Sequence, residues 1–365
     1  MSDRQSAALC TDALVIGAGP AGLFQVFQLG LLEIGCHVVD SLSAPGGQCI
    51  ELYPDKPIYD IPALAVCTGR ELVERLLAQI APMAPSFHLS QQVTAIATQP
   101  DGRFEVSTSA GTRLVARTIV IAGGVGSFQP RQLVLGGIEH HLGRQVFHSG
   151  DTLPSTAGRH VLVLGDDDAA LGCALALAGD PGHATDANAA GTTERPASVT
   201  LMHRRDAFRA EPATVERLRA ACAAGRMRFV AGQASALQSS GDTLTHITVG
   251  LADGSTQSLR ADVLAVLWGL SPKLGPIADW GLQLERKQLV VNTETFETSV
   301  PGIFAVGDVN TYPGKKKLIV CGFHEATLAA YGAAARVRPG QPVQLQYTTT
   351  STRLHQLLGV ADRQG

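Results

Sequence analysis

Three glycines and a carboxylate near the amino terminus have the types and spacing that bind an adenine dinucleotide. The glycines are Gly17, Gly19 and Gly22. Gly17 permits a tight turn, Gly19 lets the backbone approach a pyrophosphate, and Gly22 lets the next helix pack closely on a strand. Apolar runs at 13–16 and 36–39 flank this turn and helix, and Asp40 follows the second run. A carboxylate there can accept hydrogen bonds from ribose hydroxyls, and the helix N-terminus favours the phosphates.

The same order of strand, glycine turn, helix and strand occurs again in the second half of the chain. An apolar strand at 161–164 leads to Gly165, a helix is expected at 169–177, and a strand at 199–202 precedes His203-Arg204-Arg205. These cations lie where the first copy has its acid. Arginines suit a 2′-phosphate and an acid suits a free 2′-hydroxyl, so the repeat predicts FAD in the first copy and NADPH in the second. A solvated basic turn is the alternative interpretation.

The elements that must position these residues indicate an α/β protein with two Rossmann-like domains of the three-layer ββα type. A helix is expected at 69–80, strands in the period-two pattern at 87–121, and an alanine-rich helix at 322–335. Because the chain returns to the first domain near its end, we expect a discontinuous FAD-binding domain at 1–130 and 273–365. The NADP(H)-binding domain is expected at 131–272.

Composition excludes several classes of function. The chain has 365 residues, 45% hydrophobic and 17% charged, with a formal net charge of −3, so nothing draws it electrostatically to nucleic acid or an anionic membrane. No apolar run reaches a membrane-spanning length, and the polar start of the chain predicts a cytoplasmic protein. No two of the seven cysteines are spaced as C-x-x-C, which argues against a redox disulfide and a zinc site. Cys49, after Gly46-Gly47-Gln48, is the one thiol with a candidate redox role.

Several further residues are candidates for contact with a flavin. The proline-rich loop at 52–62 carries Tyr53, which either lies on a flavin ring or fastens the loop to the core. Val93 either meets the adenine through its backbone or is an ordinary core valine. A strand ends at Gly307-Asp308, where a carboxylate could bind the ribityl or phosphate end of the flavin. The three lysines at 315–317 are expected to form a solvated turn, with docking of an acidic protein as the alternative.

Five stretches together resemble the bacterial ferredoxin/flavodoxin–NADP+ reductases of the thioredoxin-reductase-like type, across nearly the whole chain. They are 46–48 (Gly-Gly-Gln), 52–62 (from Leu-Tyr-Pro to Tyr-Asp-Ile-Pro), 203–206 (His-Arg-Arg-Asp), 304–308 (Phe to Gly-Asp) and 322–326 (Gly-Phe-His-Glu-Ala). True thioredoxin reductases carry a C-x-x-C in the nucleotide domain, and this chain has none. The resemblance therefore implies that electrons leave through a one-electron carrier, ferredoxin or flavodoxin.

The resemblance also implies roles for individual residues. The family's FAD contacts fall on Asp40, Gln48, Tyr53, Val93, Phe128, Asp308 and Thr349. Tyr53 is expected to cover one face of the isoalloxazine. The C-terminal extension is expected to reach across a homodimer, with Tyr347 as a second ring and Thr348 or Thr349 near the reactive edge. The NADPH contacts fall on Gly165, Ala170, His203, Arg204 and Arg205, and no general acid or base is assigned. His324 and Glu325 either lie near the flavin or cap the start of a helix.

One departure from the family pattern bears on NADPH. Where the family usually reads Gly-Gly-Gly-Asp-Ser-Ala, residues 165–170 read Gly-Asp-Asp-Asp-Ala-Ala. Asp167 occupies the position whose bare backbone approaches the pyrophosphate. At ~5 Å and an effective dielectric of ~20, repulsion between unit charges is about 3 kcal/mol, or roughly two decades in affinity. Asp166 either adds to this repulsion or turns outward.

Two interpretations follow from this departure. In the first, the arginines still hold the 2′-phosphate, and the chain is a ferredoxin–NADP+ reductase with weakened NADPH binding. In the second, the nucleotide site is impaired, and the chain is an FAD protein that another donor reduces, a binding module, or a thiol oxidase that uses Cys49. The complete His203-Arg204-Arg205 turn favours the first interpretation.

Overall fold

The computed structural model describes residues 8–180, 195–343, 345 and 347–360, without the side chains of 127–129, 151 and 270–272. The strands are β1 (Leu9–Ile16), β2 (Cys36–Val39), β3 (Pro57–Ile58), β4 (Cys67–Thr68), β5 (Ser86–His88), β6 (Val93–Thr98), β7 (Phe104–Thr108), β8 (Arg113–Ile121), β9 (Ser127–Pro130), β10 (Val146–Phe147), β11 (His160–Leu164), β12 (Ser198–His203), β13 (Arg228–Ser240), β14 (Thr243–Leu251), β15 (Thr256–Arg260), β16 (Val263–Val266), β17 (Leu270–Lys273), β18 (Leu284–Glu285), β19 (Gln288–Val290), β20 (Ile303–Ala305) and β21 (Asn310–Thr311). The α-helices are α1 (Pro20–Leu31), α2 (Gln48–Glu51), α3 (Gly69–Ile80), α4 (Asp168–Leu177), α5 (Pro212–Ala223), α6 (Ile319–Val337) and α7 (Thr352–Leu357). The expected helices therefore lie at α3, α4 and α6, with ends that differ by no more than three residues.

The chain divides into two compact units. Unit 1 comprises residues 1–127 and 272–365, and unit 2 comprises residues 128–271. These limits lie near residues 130 and 272, where the sequence analysis divides the chain.

Unit 1 is built on a sheet in the order β5-β2-β1-β8-β7-β6, and β20 also pairs with β8. β8 takes part in two layers because its first half pairs antiparallel with β7 and its second half pairs parallel with β20. β1 lies between β2 and β8 and is parallel to both. The carboxyl ends of these parallel strands therefore meet at one edge, where Gly17 follows β1.

Unit 2 repeats this arrangement in a sheet of order β10-β16-β11-β12-β13-β14-β15. The first five strands pair in parallel, and β13 continues into an antiparallel ladder with β14 and β15. Alternate residues of β11 serve the two faces: Val161 and Val163 pack in the cluster with α4, whereas Leu162 and Leu164 pack in the cluster with β14. This alternation is the period-two pattern of a strand buried on both faces, and it confirms the predicted three-layer architecture.

Candidate functional site

The glycine turn of unit 1 is shaped by backbone contacts that exclude side chains. Gly17 has a φ of +108°, and a Cβ there would lie 2.4 Å from the Ala122 carbonyl oxygen. A Cβ on Gly22 would lie 2.0 Å from the Gly17 carbonyl oxygen. The Gly17 N–H donates to the Val39 carbonyl at 2.8 Å, which ties the turn to the end of β2. Gly17 and Gly22 are therefore required by packing, as the sequence predicts.

Gly19 differs from these two glycines because the space beside it is open. Among the described residues outside its own neighbours, the nearest atom to a Cβ on Gly19 would be the Gly47 Cα at 3.9 Å. Gly19 also caps α1 without a side chain, and the first turn of that helix contains no acid. The N–H groups at the start of α1 thus face a surface made of two bare glycines. That surface fits a pyrophosphate, which needs close backbone approach and a positive dipole end.

Asp40 follows β2 beside the glycine turn, at the position expected to meet a ribose. The residue is 8% exposed, and its carboxylate accepts hydrogen bonds from the Ala18 N–H at 2.5 Å and the Leu42 N–H at 2.8 Å. Burial raises the pKa of this carboxyl, and the backbone hydrogen bonds oppose that rise. The Asp40 carbonyl also accepts from the Gln91 N–H at 3.0 Å, two residues before the buried Val93. Val93 packs in the core and starts β6. A buried side chain is compatible with both interpretations of Val93, because the adenine contact is expected through its backbone.

Gln48, Cys49 and Tyr53 form one side of the same region. α2 begins at Gln48, directly after Gly47, and the Gln48 amide nitrogen lies beside Gly124, 3.2 Å from where its Cβ would be. The Cys49 thiol donates to the Tyr53 hydroxyl oxygen at 3.7 Å. Burial raises the pKa of both groups, and the negative charge of Asp308 acts in the same direction. Tyr53 is therefore a neutral, half-buried phenol, and Cys49, 1% exposed, is a buried thiol.

The turn that carries Asp308 lies against the start of α1. A Cβ on Gly307 would lie 3.2 Å from the Ala21 Cβ, and a Cβ on Gly322 would lie 3.2 Å from the same atom. The starts of α1 and α6 and the 307–309 turn therefore converge closely. This convergence brings the half-buried Asp308 beside the glycine turn, as the family resemblance implies.

A buried ion pair supports this turn, and the sequence analysis missed it. The Glu325 carboxylate is fully buried and accepts from the Gly307 N–H at 2.7 Å, the Asn310 amide at 2.9 Å and the Tyr312 hydroxyl at 2.9 Å. Its fourth partner is the Lys315 ammonium, whose side chain is 7% exposed and which also donates to the Gly307 carbonyl at 2.9 Å.

Two sequence expectations are therefore corrected. Lys315 is not part of a solvated turn, because its ammonium is buried against Glu325, whereas Lys316 and Lys317 are exposed. Glu325 does not cap a helix start, because it lies in the second turn of α6 and its carboxylate accepts from the 307–315 segment. A lysine and a glutamate ten residues apart give no local signal of such a pair.

Unit 2 reproduces the glycine turn of unit 1. In both units the first glycine after one strand hydrogen-bonds to the end of the neighbouring strand, and we call this arrangement the glycine corner. The Gly165 N–H donates to the Met202 carbonyl at 3.2 Å, as Gly17 does to Val39. A Cβ on Gly165 would lie 2.3 Å from the Ala170 Cβ, so these two residues pack as Gly17 and Gly22 do. His203 therefore takes the place of Asp40, as the sequence predicts.

The three aspartates after Gly165 all have partners within unit 2. Asp167 caps α4, and its carboxylate accepts from the Ala170 N–H at 3.1 Å. Asp168 accepts from the Glu211 N–H at 3.1 and 3.2 Å. Asp166 receives two hydrogen bonds from Arg209, at 2.8 and 2.7 Å, and lies 3.6 Å from the His203 Nε2. The Arg209 guanidinium holds the pKa of the Asp166 carboxyl below its usual range.

Of these residues, Asp166, His203 and Arg209 border a cavity of about 730 Å³ beside the end of β12. Its charged lining includes Arg131, Asp166, His203, Arg204, Arg205 and Arg209. Arg209 was not among the residues singled out from the sequence, although it follows the His-Arg-Arg turn closely enough to join it. The cavity is strongly cationic, and Asp166 is its one carboxylate among the lining residues that the structure describes.

The predicted residues of the C-terminal segment lie on the surface of the described chain. Tyr347, Thr348 and Thr349 lie in an exposed turn in which the Thr350 N–H donates to the Tyr347 carbonyl at 3.1 Å. Tyr347 is 66% exposed, so most of its surface is left uncovered by the described residues of the same chain. Phe128 lies in β9, and its side chain is outside the described part of the structure.

The described residues contain no cluster of three or more His, Cys, Asp or Glu side chains arranged to hold a metal ion. In the same part of the chain, no helix combines the length and the apolar character needed to span a bilayer.

Comparison with known proteins agrees with this geometry. Residues 11–331 match the family model described as pyridine nucleotide-disulphide oxidoreductase. A protein of Albidiferax ferrireducens named ferredoxin--NADP reductase is 55% identical over 350 residues, covering 96% of each chain. A protein of Cupriavidus metallidurans named ferredoxin--NADP reductase 2 is 54% identical over 349 residues, 96% of this chain and 91% of its own. The solved thioredoxin reductase of Lactococcus lactis is 23% identical with a TM-score of 0.53, covering 90% of this chain and 99% of its own, and shares the fold.

Proposed function

The chain belongs to the pyridine nucleotide-disulphide oxidoreductase family, and on that premise we propose that it is an FAD-dependent ferredoxin–NADP+ reductase. It passes electrons between NADPH and a one-electron carrier, ferredoxin or flavodoxin. The names of relatives that share more than half of its residues over nearly its full length support this function.

One observation carries the proposal beyond those names: the two glycine corners have ribose positions of opposite charge. In unit 1 the corner holds the Asp40 carboxylate, and in unit 2 it holds His203 beside Arg204, Arg205 and Arg209. A carboxylate accepts from a free 2′-hydroxyl, and arginines bind a 2′-phosphate. FAD carries the free hydroxyl and NADPH carries the phosphate, so the chain has one suitable corner for each.

The residues of unit 1 fit FAD. The bare surface between Gly19 and Gly47 admits a pyrophosphate at the start of α1, and Asp40 is positioned for the adenosine ribose. Gln48, Tyr53 and Asp308 line the same region, with Tyr53 as the proposed ring against the isoalloxazine. Bound FAD supplies the conversion between two-electron and one-electron transfer. The protein positions it and needs no nucleophile.

Cys49 and Glu325 hold these groups in place. The Cys49 thiol donates to the Tyr53 hydroxyl and so restrains the ring. The Glu325 carboxylate accepts from the Gly307 N–H, and the Gly307 carbonyl accepts from the Lys315 ammonium. The backbone before Asp308 is therefore held on both sides. A turn restrained in this way keeps the Asp308 carboxylate beside the start of α1.

In unit 2 we propose that Gly165 and Ala170 form the phosphate turn and that His203, Arg204, Arg205 and Arg209 hold the 2′-phosphate. Asp167 weakens this site without removing it, because its carboxylate takes the Ala170 N–H that a pyrophosphate oxygen would use. The intact cationic cavity favours a working nucleotide site over an impaired one.

The C-terminal segment supplies a further part of the proposal. Leu345 and Tyr347 are each 66% exposed, so both side chains are available for burial against a second copy of the chain. We propose a homodimer in which Tyr347, Thr348 and Thr349 cover the flavin of the partner subunit, with Phe128 as a further FAD contact. We further propose that the chain acts in the reducing cytoplasm, where the thiols of its seven scattered cysteines would stay reduced.

The alternative of a thiol oxidase that uses Cys49 has less support. A redox thiol is accessible and has a lowered pKa, whereas Cys49 is 1% exposed and burial raises its pKa.

A steady-state assay with three acceptors tests the proposal. Purified protein loaded with FAD is mixed with NADPH and with ferredoxin, flavodoxin or a small disulfide. We expect NADPH oxidation to depend on ferredoxin or flavodoxin and to persist in Cys49→Ser. Oxidation of a small dithiol by oxygen, without NADPH, that Cys49→Ser abolishes would instead support the thiol oxidase. Turnover of the disulfide would indicate a disulfide reductase, and no turnover with any acceptor would support a binding module.

A further inference from the structure

Both glycine turns have a carboxylate beside them, but the two carboxylates come from different strands. In unit 1 it follows the second strand of the repeat, and in unit 2 it follows the first. In unit 1, Asp40 follows β2 and its carboxylate reaches the Ala18 N–H, just after the first glycine of the turn. In unit 2 the order is reversed: Asp166 follows the first glycine, and its carboxylate reaches His203 at the end of β12. The two corners are equivalent because Gly17 and Gly165 make the same backbone hydrogen bond to the neighbouring strand.

Asp166 also engages a cation that the 2′-phosphate would need. Arg209 donates two hydrogen bonds to its carboxylate, at 2.8 and 2.7 Å, and the Arg209 N–H donates to the Asp166 carbonyl at 2.7 Å. The Asp166 side chain is 14% exposed and that of Arg209 is 65% exposed. The Asp166 carboxylate is thus largely buried in the wall of the cavity, whereas most of the Arg209 guanidinium is exposed and accessible to a second anion.

A nucleotide phosphate in this cavity meets both groups. A 2′-phosphate would have to take Arg209 from an anchored carboxylate of like charge, whereas a free 2′-hydroxyl could donate to that carboxylate. Arg204 and Arg205 line the same cavity. Among the described residues, Arg209 and not Arg204 or Arg205 donates hydrogen bonds to the Asp166 carboxylate. The cavity therefore offers contacts to both forms of the adenosine ribose.

We propose that Asp166 is a specificity-determining residue that lets this chain use NADH as well as NADPH. This inference rests on the proposed use of the cavity for a pyridine nucleotide. Asp166 alone accounts for the weak discrimination between NADPH and NADH in this proposal. The capping residue Asp167 affects both nucleotides equally, because the pyrophosphate is common to them.

Two measurements test this role. The first compares kcat/KM for NADPH and NADH in the wild type, Asp166→Gly and Asp166→Asn, with ferredoxin as acceptor. We expect both variants to raise the NADPH-to-NADH ratio by about tenfold or more, because each removes the charge that competes for Arg209. Asp206→Asn is the matched control: it removes a carboxylate from the turn that carries His203, Arg204 and Arg205, but that carboxylate pairs with Arg219 and does not line the cavity. Its ratio should equal that of the wild type.

The second measurement does not need the flavin. Calorimetry with adenosine 2′-monophosphate and adenosine 5′-monophosphate should show a gain in affinity for the 2′-phosphate alone in both Asp166 variants. If neither dinucleotide reduces the flavin of the wild type, the proposed function fails, and calorimetry still decides the role of Asp166. If NADPH reduces the flavin but neither variant changes the ratio or the 2′-phosphate affinity, the role of Asp166 is overturned alone.

Discussion

At the scale of single residues, the two glycine turns show that glycines with similar spacing serve different purposes. Gly22 lies where a Cβ would overlap the Gly17 carbonyl oxygen, whereas Gly19 lies beside open space. Gly22 is therefore required for the fold, and we propose that Gly19 admits a ligand to the backbone. Substitution by alanine therefore separates folding from binding in neighbouring positions.

We expect Gly19→Ala to fold and to lose FAD, and Gly22→Ala to fail in folding. For Gly19→Ala the free energy of unfolding of the flavin-free protein should change by less than about 1 kcal/mol, while FAD affinity falls by about tenfold or more. Thermal unfolding and FAD titration of both variants provide the measurement. Equal FAD affinity in Gly19→Ala and the wild type would show that the pyrophosphate does not bind at this turn.

The buried pair of Glu325 and Lys315 makes a second residue-scale prediction. In Glu325→Gln the Lys315 ammonium, 7% exposed, keeps its charge without a carboxylate partner, which should cost roughly 3 kcal/mol of stability or more. FAD affinity should fall as well, since the turn before Asp308 loses its support.

Two further variants serve as controls for this pair. Adding Lys315→Met to Glu325→Gln removes both charges and should recover part of the stability. Glu294→Gln, at an exposed carboxylate of the same unit, should have no effect. Unfolding in denaturant measures all four proteins, and a Glu325→Gln single variant as stable as the wild type would refute a structural role for the pair.

At the scale of secondary structure, the N-cap of α4 is an acid, Asp167, whose carboxylate would compete with a bound phosphate for the N–H groups of the helix N-terminus. Asp167 satisfies the Ala170 N–H, one of the free donors that would otherwise bind an anion at this N-terminus. The sequence predicted the conflict with a phosphate, but it could not show that the carboxylate is itself the occupant of the anion position.

Asp167→Gly should therefore improve NADPH binding at little cost in stability. Glycine at an N-cap is only a few tenths of a kcal/mol worse than an acid, whereas removal of the like charge should lower KM for NADPH by up to about two orders of magnitude. NADH should gain equally. A KM that does not fall for either nucleotide would show that Asp167 is not near the pyrophosphate.

The neighbouring strands β2 and β5 carry a histidine pair that links stability to pH. The His37 Nδ1 and His88 Nε2 lie 2.8 Å apart, and the rings are stacked with centroids 5.1 Å apart. Burial lowers the pKa of both imidazoles, and for His37 the neighbouring His88 lowers it further. The folded chain therefore favours the neutral form of both imidazoles.

Because both pKa values are lowered, the unfolded chain binds more protons than the folded chain at pH values below the ordinary histidine pKa of 6.5. The thermal midpoint should stay level above that pH and fall as the pH drops below it. His88→Gln should make this acid-side fall shallower, and His140→Gln, at an exposed imidazole, should leave it unchanged. An identical pH profile in His88→Gln and the wild type would contradict the assignment.

At the scale of the whole molecule, the chain contains two units with the same parallel strand order and opposite charge at the ribose corner. The sequence was sufficient to predict both glycine turns, the helices α3, α4 and α6 and the three-layer architecture, because turn glycines and hydrophobic periodicity are local signals. Contacts between distant residues were not predictable in this way. Asp166 and Arg209 are 43 residues apart, and their pairing depends on how the segment after β12 folds back on the glycine turn.

We propose above that unit 1 would hold one FAD and that a pyridine nucleotide bound in unit 2 would reduce it. The most direct test of this claim is anaerobic stopped-flow mixing of the FAD-loaded protein with NADPH and with NADPH deuterated at the transferred position. We expect one FAD per chain, whose visible absorbance band is lost in a single step that deuteration slows. A protein that stays colourless after incubation with excess FAD, or a flavin that remains oxidised at millimolar NADPH, would contradict the claim.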